Sequence, residues 1–123
     1  MATILLVDDD EQFRNMLSET LRRSGYEVRE ARDGAEGLRS YSEQATDLII
    51  TDLIMPEKEG LEIIQEFRRN DPEVKIIAIS GGSRYGPSDY LKIAKTFGAR
   101  QVLAKPFSRQ EILEAVGRVL EAA

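Results

Sequence analysis

Five short runs of strand type, each followed by a stretch with helical spacing, constrain this chain more than any other feature. Short apolar runs stand at 4–7, 48–50, 74–79 and 102–103, and an alternating segment at 26–28. Between them, Phe13, Met16, Leu17 and Leu21 recur at helical intervals, as do Leu61, Ile64 and Phe67, and then Ile112, Val116, Val119 and Leu120. Weaker helical stretches run over about 35–42 and 88–97. Start and stop signals agree: Gly25 stands where a first helix ends, Asp33-Gly34 opens the next, and Ser108 with Glu111 is a capping box for the last.

Strict alternation of strand and helix predicts an α/β fold, a doubly wound five-stranded parallel sheet with helices on both faces. The runs 4–7, 48–50 and 76–79 read as central strands, apolar on both faces, and the alternating 26–28 as an edge. The flavodoxin-like (βα)5 order 2-1-3-4-5 satisfies this pattern and places strands one and three together at the switch point, where ligands are expected. No internal repeat or linker composition interrupts the chain, so residues 1–123 read as one domain.

Composition narrows the chemistry. The 123 residues include no Cys and no His, which excludes a disulfide framework, a thiolate metal site, a cysteine nucleophile and the commonest general base. Lys plus Arg number 17 against 22 Asp plus Glu, a formal charge of −5, which argues against a direct grip on nucleic acid. No apolar run approaches the roughly 20 residues that span a bilayer, and Met1-Ala2-Thr3 leaves no room for a leader, so a cytoplasmic location without membrane contact is expected.

The first strand runs into Asp8-Asp9-Asp10 and the third into Asp52, so several carboxylates converge on one crevice at the carboxyl ends of neighbouring strands. The fourth strand ends at Ser80-Gly81-Gly82 and the fifth at Lys105-Pro106, which brings a hydroxyl, a flexible backbone and an ammonium to the same rim. An all-oxygen carboxylate cluster suits a hard cation, and Mg²⁺, with Mn²⁺ as an alternative, in turn suggests phosphate. Lys105, the Ser80 hydroxyl and the amides near Gly81 and Ile54 then offer partners for phosphoryl oxygens, with the Asp52 carboxylate as nucleophile. Taken singly, Asp8 to Asp10 read as a helix cap, Asp52 as a turn residue before Pro56, and Lys105-Pro106 as a strand exit. Their joint placement at four strand ends is what points to a site.

These residues resemble the response-regulator receiver domain of bacterial two-component signalling, over the whole chain. The resemblance rests on Leu5-Leu6-Val7-Asp8-Asp9-Asp10, on Asp52-Leu53-Ile54-Met55-Pro56 with Gly60 beyond, on Ser80, and on Lys105-Pro106-Phe107. It implies that Asp52 accepts the phosphoryl group, that Asp9, Asp52 and the Ile54 carbonyl ligate Mg²⁺, and that Asp8 acts through a bound water. It implies equally that Ser80 and Lys105 contact phosphoryl oxygens and that the Lys105-Pro106 bond is cis. The implied donor is a phosphohistidine on a sensor histidine kinase or a histidine phosphotransfer protein, and the output is altered binding to an effector protein. A monomer or weak dimer is expected, with no output domain following the last helix, either as a stand-alone shuttle or as a piece of a longer regulator.

Two departures from the family pattern bear on mechanism. Val102 stands where the family usually carries Tyr or Phe, and it is too small to reproduce the burial of that ring, so the loop 81–92, with Tyr85 or Tyr90, is expected to move instead. Ile54 and Gly82, at the positions that tune phosphoryl lifetime, cannot orient an attacking water, which predicts slow self-dephosphorylation. The competing readings are a degenerate receiver that binds a partner constitutively and a metal-dependent phosphatase. The second would want a carboxylate where Ile54 stands. Neither G-x-x-x-x-G-K-[ST] nor G-x-G-x-x-G occurs, which leaves nucleotide binding without a motif.

Overall fold

The computed structural model describes residues 1–52, 59–81 and 95–122, with the side chains of 59–61 and 81 left out. The order is β1 (Thr3–Val7), α1 (Glu11–Arg23), β2 (Glu27–Ala31), α2 (Gly34–Glu43), β3 (Leu48–Asp52), α3 (Glu59–Asn70), β4 (Ile76–Gly81), β5 (Gln101–Lys105) and α4 (Arg109–Glu121). Residues 95–97 are also helical, and the remainder of the helix expected over about 88–97 lies outside the described residues. The five strands form one parallel sheet in the order β2-β1-β3-β4-β5, as the alternation predicts. Among the described residues no helix is long and apolar enough to cross a membrane.

Alternation of side chains along each strand divides the core in two. Leu5, Val7, Ile49, Ile76 and Ala78 meet Tyr41 of α2 and Ile63, Ile64 and Phe67 of α3 on one face. Ile4, Leu6, Leu48, Ile50, Ile77 and Ile79 meet Leu17 and Leu21 of α1 and Ile112, Val116 and Val119 of α4 on the other. Each such aliphatic side chain, fully buried, contributes about 1.5–3 kcal/mol. The chain leaves β1 toward β2, then returns past β1 to β3. Crossovers of constant hand therefore put α1 and α2 on opposite faces and open a crevice between the carboxyl ends of β1 and β3.

The helix ends follow their local signals. Gly25 takes φ +98° beyond α1, where its N–H donates to the Arg22 carbonyl at 3.0 Å and that of Tyr26 to the Leu21 carbonyl at 3.2 Å, a Schellman closure. Asp33 caps α2 through the Glu36 N–H at 2.8 Å, and Ser108 and Glu111 form the expected capping box of α4. Gly34, the first residue of α2, is held small by packing: a Cβ there would stand 1.5 Å from Ile63 Cδ1 and 2.5 Å from its Cγ1. Gly34→Ala is expected to cost about 1–3 kcal/mol in urea denaturation. Truncating Ile63 to Ala in the same chain should make the combined loss smaller than the sum of the two single losses.

Four expectations need correction. Met16 is 59% exposed: α1 centres its buried stripe on Leu17, Ser18 and Leu21, and Met16 falls on the far side of the wheel. Val74 is buried but precedes β4, closing a turn with its N–H on the Asp71 carbonyl at 3.0 Å. β2 covers Glu27–Ala31 rather than 26–28, and β5 covers Gln101–Lys105 rather than 102–103. Both are edge strands, paired on one side only, so polar residues such as Arg29, Glu30 and Gln101 are tolerated within them.

Candidate functional site

Parallel strands bring Asp8, at the end of β1, and Asp52, the last residue of β3, to the crevice. Asp8 is 1% and Asp52 5% exposed. Asp9 is exposed, yet one carboxylate oxygen of each of Asp8, Asp9 and Asp52 lies within 4.8 Å of the others. Lys105, the last residue of β5, sends its Nζ to 3.3 Å from Asp52 Oδ2 and 3.6 Å from Asp8 Oδ2. The Lys105-Pro106 bond beyond it is cis, as the resemblance implied. Ser80 is buried in β4 opposite Ala104, and Gly81 pairs with Lys105. Ile54 lies outside the described residues, as do Gly82, Tyr85, Tyr90 and most of the loop 81–92. Val102 is half-buried against the core on the α2 and α3 side.

The three consecutive acids do three different things. Asp8 faces inward, and its Oδ1 accepts the Asp10 N–H at 2.8 Å. Asp10 is the N-cap of α1, its Oδ1 accepting the Phe13 N–H at 3.2 Å. Asp9 joins the carboxylate cluster from the exposed rim. Helix cap and candidate site thus coexist in one tripeptide.

Burial pushes the Asp8 carboxyl above its ordinary value. The Asp10 N–H and the Lys105 ammonium pull it down, and the charges of Asp9 and Asp10 push it up again. Its Oδ2 is buried and takes no hydrogen bond from the described residues. The folded state therefore holds a proton on Asp8 more tightly than the unfolded chain does, so this group's contribution to stability falls as the pH rises through the folded value. Asp8→Asn keeps an oxygen for the Asp10 N–H and removes the strained charge. It is expected to raise metal-free stability at pH 7 by about 1 kcal/mol. The gain should vanish in urea titrations below the ordinary carboxylate pKa, where Asp8 is protonated in both states.

The cluster fits a hard divalent cation. Its donors are all oxygen, an excess of negative over positive charge surrounds them, and Asp8 Oδ2, buried, faces Lys105 Nζ at 3.6 Å but takes no hydrogen bond from the described residues.

Two neighbours of the site are not apparent from the residue pattern. Arg14, whose side chain is 14% exposed, donates from Nη1 to the Asp8 carbonyl at 2.8 Å and from Nε to Glu30 Oε1 at 3.1 Å, and so ties the turn after β1 to β2. Phe13, read from spacing as a core residue, also carries the Lys105 Nζ 3.8 Å from its ring centroid. The available signal was position: the Asp10 cap fixes both residues in the first turns of α1, beside the end of β1.

The family described as the response regulator receiver domain matches residues 4–117. The chemotaxis protein CheY of Bacillus subtilis is 34% identical over 118 residues, which cover 95% of this chain and 96% of that protein. The DNA-binding transcriptional regulator NtrC of Azospirillum brasilense is 36% identical over 121 residues, covering 98% of this chain and 24% of that protein. A crystal structure of a response regulator receiver domain protein from Clostridium thermocellum superposes with a TM-score of 0.89 at 30% identity, covering 98% of this chain and 94% of that one.

Proposed function

The chain belongs to the response regulator receiver domain family, and from that premise we propose that it is a phosphorylation-dependent switch in which Asp52 accepts a phosphoryl group with the help of Mg²⁺. The observation that carries the reading is the convergence of Asp8, Asp9 and Asp52 within 4.8 Å, with Lys105 Nζ 3.3 Å from Asp52.

In this reading an Asp52 carboxylate oxygen attacks the phosphorus of a phosphohistidine. The P–O bond forms as the P–N bond breaks, and the departing imidazole takes up a proton. Asp9, Asp52 and the Ile54 carbonyl would hold Mg²⁺, or Mn²⁺, and Asp8 would act through a water. The ion, when bound, supplies charge neutralisation for the transferring phosphoryl oxygens. Lys105 and the Ser80 hydroxyl receive the remaining oxygens, assisted by the Gly81 amide. Burial of Asp52 at the end of β3 keeps bulk water from the acyl phosphate, and Ile54, two residues on in the chain, favours slow self-dephosphorylation.

The donor is a sensor histidine kinase or a histidine phosphotransfer protein in the cytoplasm. The readout is altered affinity for an effector protein, because a phosphoryl group that interacts differently with two conformations shifts their populations.

The test is intact mass after incubation with a small-molecule phosphodonor. The native protein is expected to gain one phosphoryl mass with Mg²⁺ and to fall back to background when the metal is chelated. No gain in either condition, together with no binding of a beryllium fluoride mimic, would replace this reading with a receiver fold that binds its partner without phosphorylation.

A further inference from the structure

Lys105 must hold a compact, strongly hydrated ammonium at a fixed point beside Asp8 and Asp52, at the end of a flexible four-carbon stem. The two carboxylates supply attraction, at 3.6 and 3.3 Å, but an ammonium between two acids can swing toward either. A third contact comes from α1: the Phe13 ring presents its face to Lys105 Nζ, 3.8 Å from the centroid. That ring is itself fixed. Its backbone N–H is held by the Asp10 cap at 3.2 Å, and its ring makes a T-shaped pair with Phe107 at 6.0 Å and 86°. Phe107 lies two residues beyond Lys105, so the ring that receives the ammonium is braced by the chain that carries it.

We infer that Phe13 is a positioning residue for phosphoryl transfer: its ring face fixes the Lys105 ammonium between Asp8 and Asp52 and strips part of its water. This rests on the functional reading above. A π-face attracts a cation without accepting its protons, so the N–H groups of Lys105 stay available for phosphoryl oxygens. An aliphatic side chain of similar bulk would fill the same space beneath α1 without that attraction.

Three variants and one spectroscopic signature test this. Phe13→Leu keeps an apolar side chain and is expected to slow Mg²⁺-dependent uptake from a small-molecule phosphodonor by about three- to tenfold. Phe13→Tyr keeps the π-face and is expected to restore the native rate. In the Lys105→Met background, Phe13→Leu is expected to add no further loss, because the group it positions is gone. The ε-methylene protons of Lys105 should resonate upfield of their unstructured position in the native protein and return toward it in Phe13→Leu. A native rate in Phe13→Leu, or an equal slowing by Phe13→Leu with and without Lys105, overturns the positioning role while leaving Asp52 as acceptor. Absence of uptake by the native protein overturns the functional reading and Phe13's part in it together, even with the upfield signal present.

Discussion

Asp52→Asn is expected to take up no phosphoryl group under conditions in which the native protein gains one, while its fold remains intact. Asn reproduces the size of the side chain at the end of β3 but carries an amide in place of the nucleophilic carboxylate. Little else changes. The Asn oxygen can still accept from Lys105, whose Nζ stands 3.3 Å from Asp52 Oδ2, and one negative charge is lost from a cluster in which Asp8 and Asp52 oxygens lie within 4.8 Å. The unfolding free energy from urea titration, and with it the midpoint, should therefore stay close to native, within about 1 kcal/mol. Intact mass read beside that midpoint separates loss of the acceptor from loss of the fold. Uptake that persists in the variant would move the acceptor to another group.

Lys105→Met carries the second large effect. Removing one preorganised positive donor from a developing phosphoryl charge is expected to slow uptake by about 10²- to 10³-fold. It should also destabilise the metal-free protein at pH 7 by about 1–3 kcal/mol, since the buried Asp8 and Asp52 both lose a facing cation. The pH dependence follows from Asp8. Without Lys105 its carboxyl rises further above the ordinary value, so the destabilisation is largest at neutral pH and shrinks as the pH falls into the carboxylate range. Stopped mass measurements and urea titrations at two pH values read both effects. An uptake rate within a few-fold of native would exclude contact between Lys105 and the transferring group.

The sheet was legible in the sequence wherever burial was two-sided. β1, β3 and β4 are apolar on both faces, which leaves no helical alternative for such short runs. β2 and β5 were read too short because an edge strand accepts Arg29, Glu30 or Gln101, residues with no strand signature, and takes its bounds from pairing with a neighbour. Met16 was misplaced because one apolar residue near the start of a helix does not define the stripe. Its true centre, on Leu17, Ser18 and Leu21, includes a buried serine that periodicity does not count.

At the candidate site, the approach of Asp8, Asp52 and Lys105 to one another was legible for a topological reason: all parallel strands end on the same side, so residues at the ends of neighbouring strands are brought to one rim. What topology does not carry is the approach of a helix to that rim. The ring of Phe13 over Lys105 and the guanidinium of Arg14 on the Asp8 carbonyl depend on how α1 lies against the sheet, which a one-dimensional pattern does not encode. The residue pattern by itself did not separate Asp8, Asp9 and Asp10 either; the resemblance gave the first two different roles, and the cap formed by Asp10 alone emerges from the hydrogen bonds. One inward acid, one rim acid and one cap are indistinguishable as three consecutive letters.

The most direct measurement is to locate the phosphoryl group itself. An acyl phosphate is reduced by borohydride to the alcohol, so an aspartyl phosphate becomes homoserine at its own position, which peptide mass mapping then reads. After Mg²⁺-dependent phosphorylation, homoserine at position 52 alone is the predicted result. Homoserine at position 8 or 9, or a phosphoryl group that survives reduction on Ser80, would contradict the assignment of Asp52 as the acceptor.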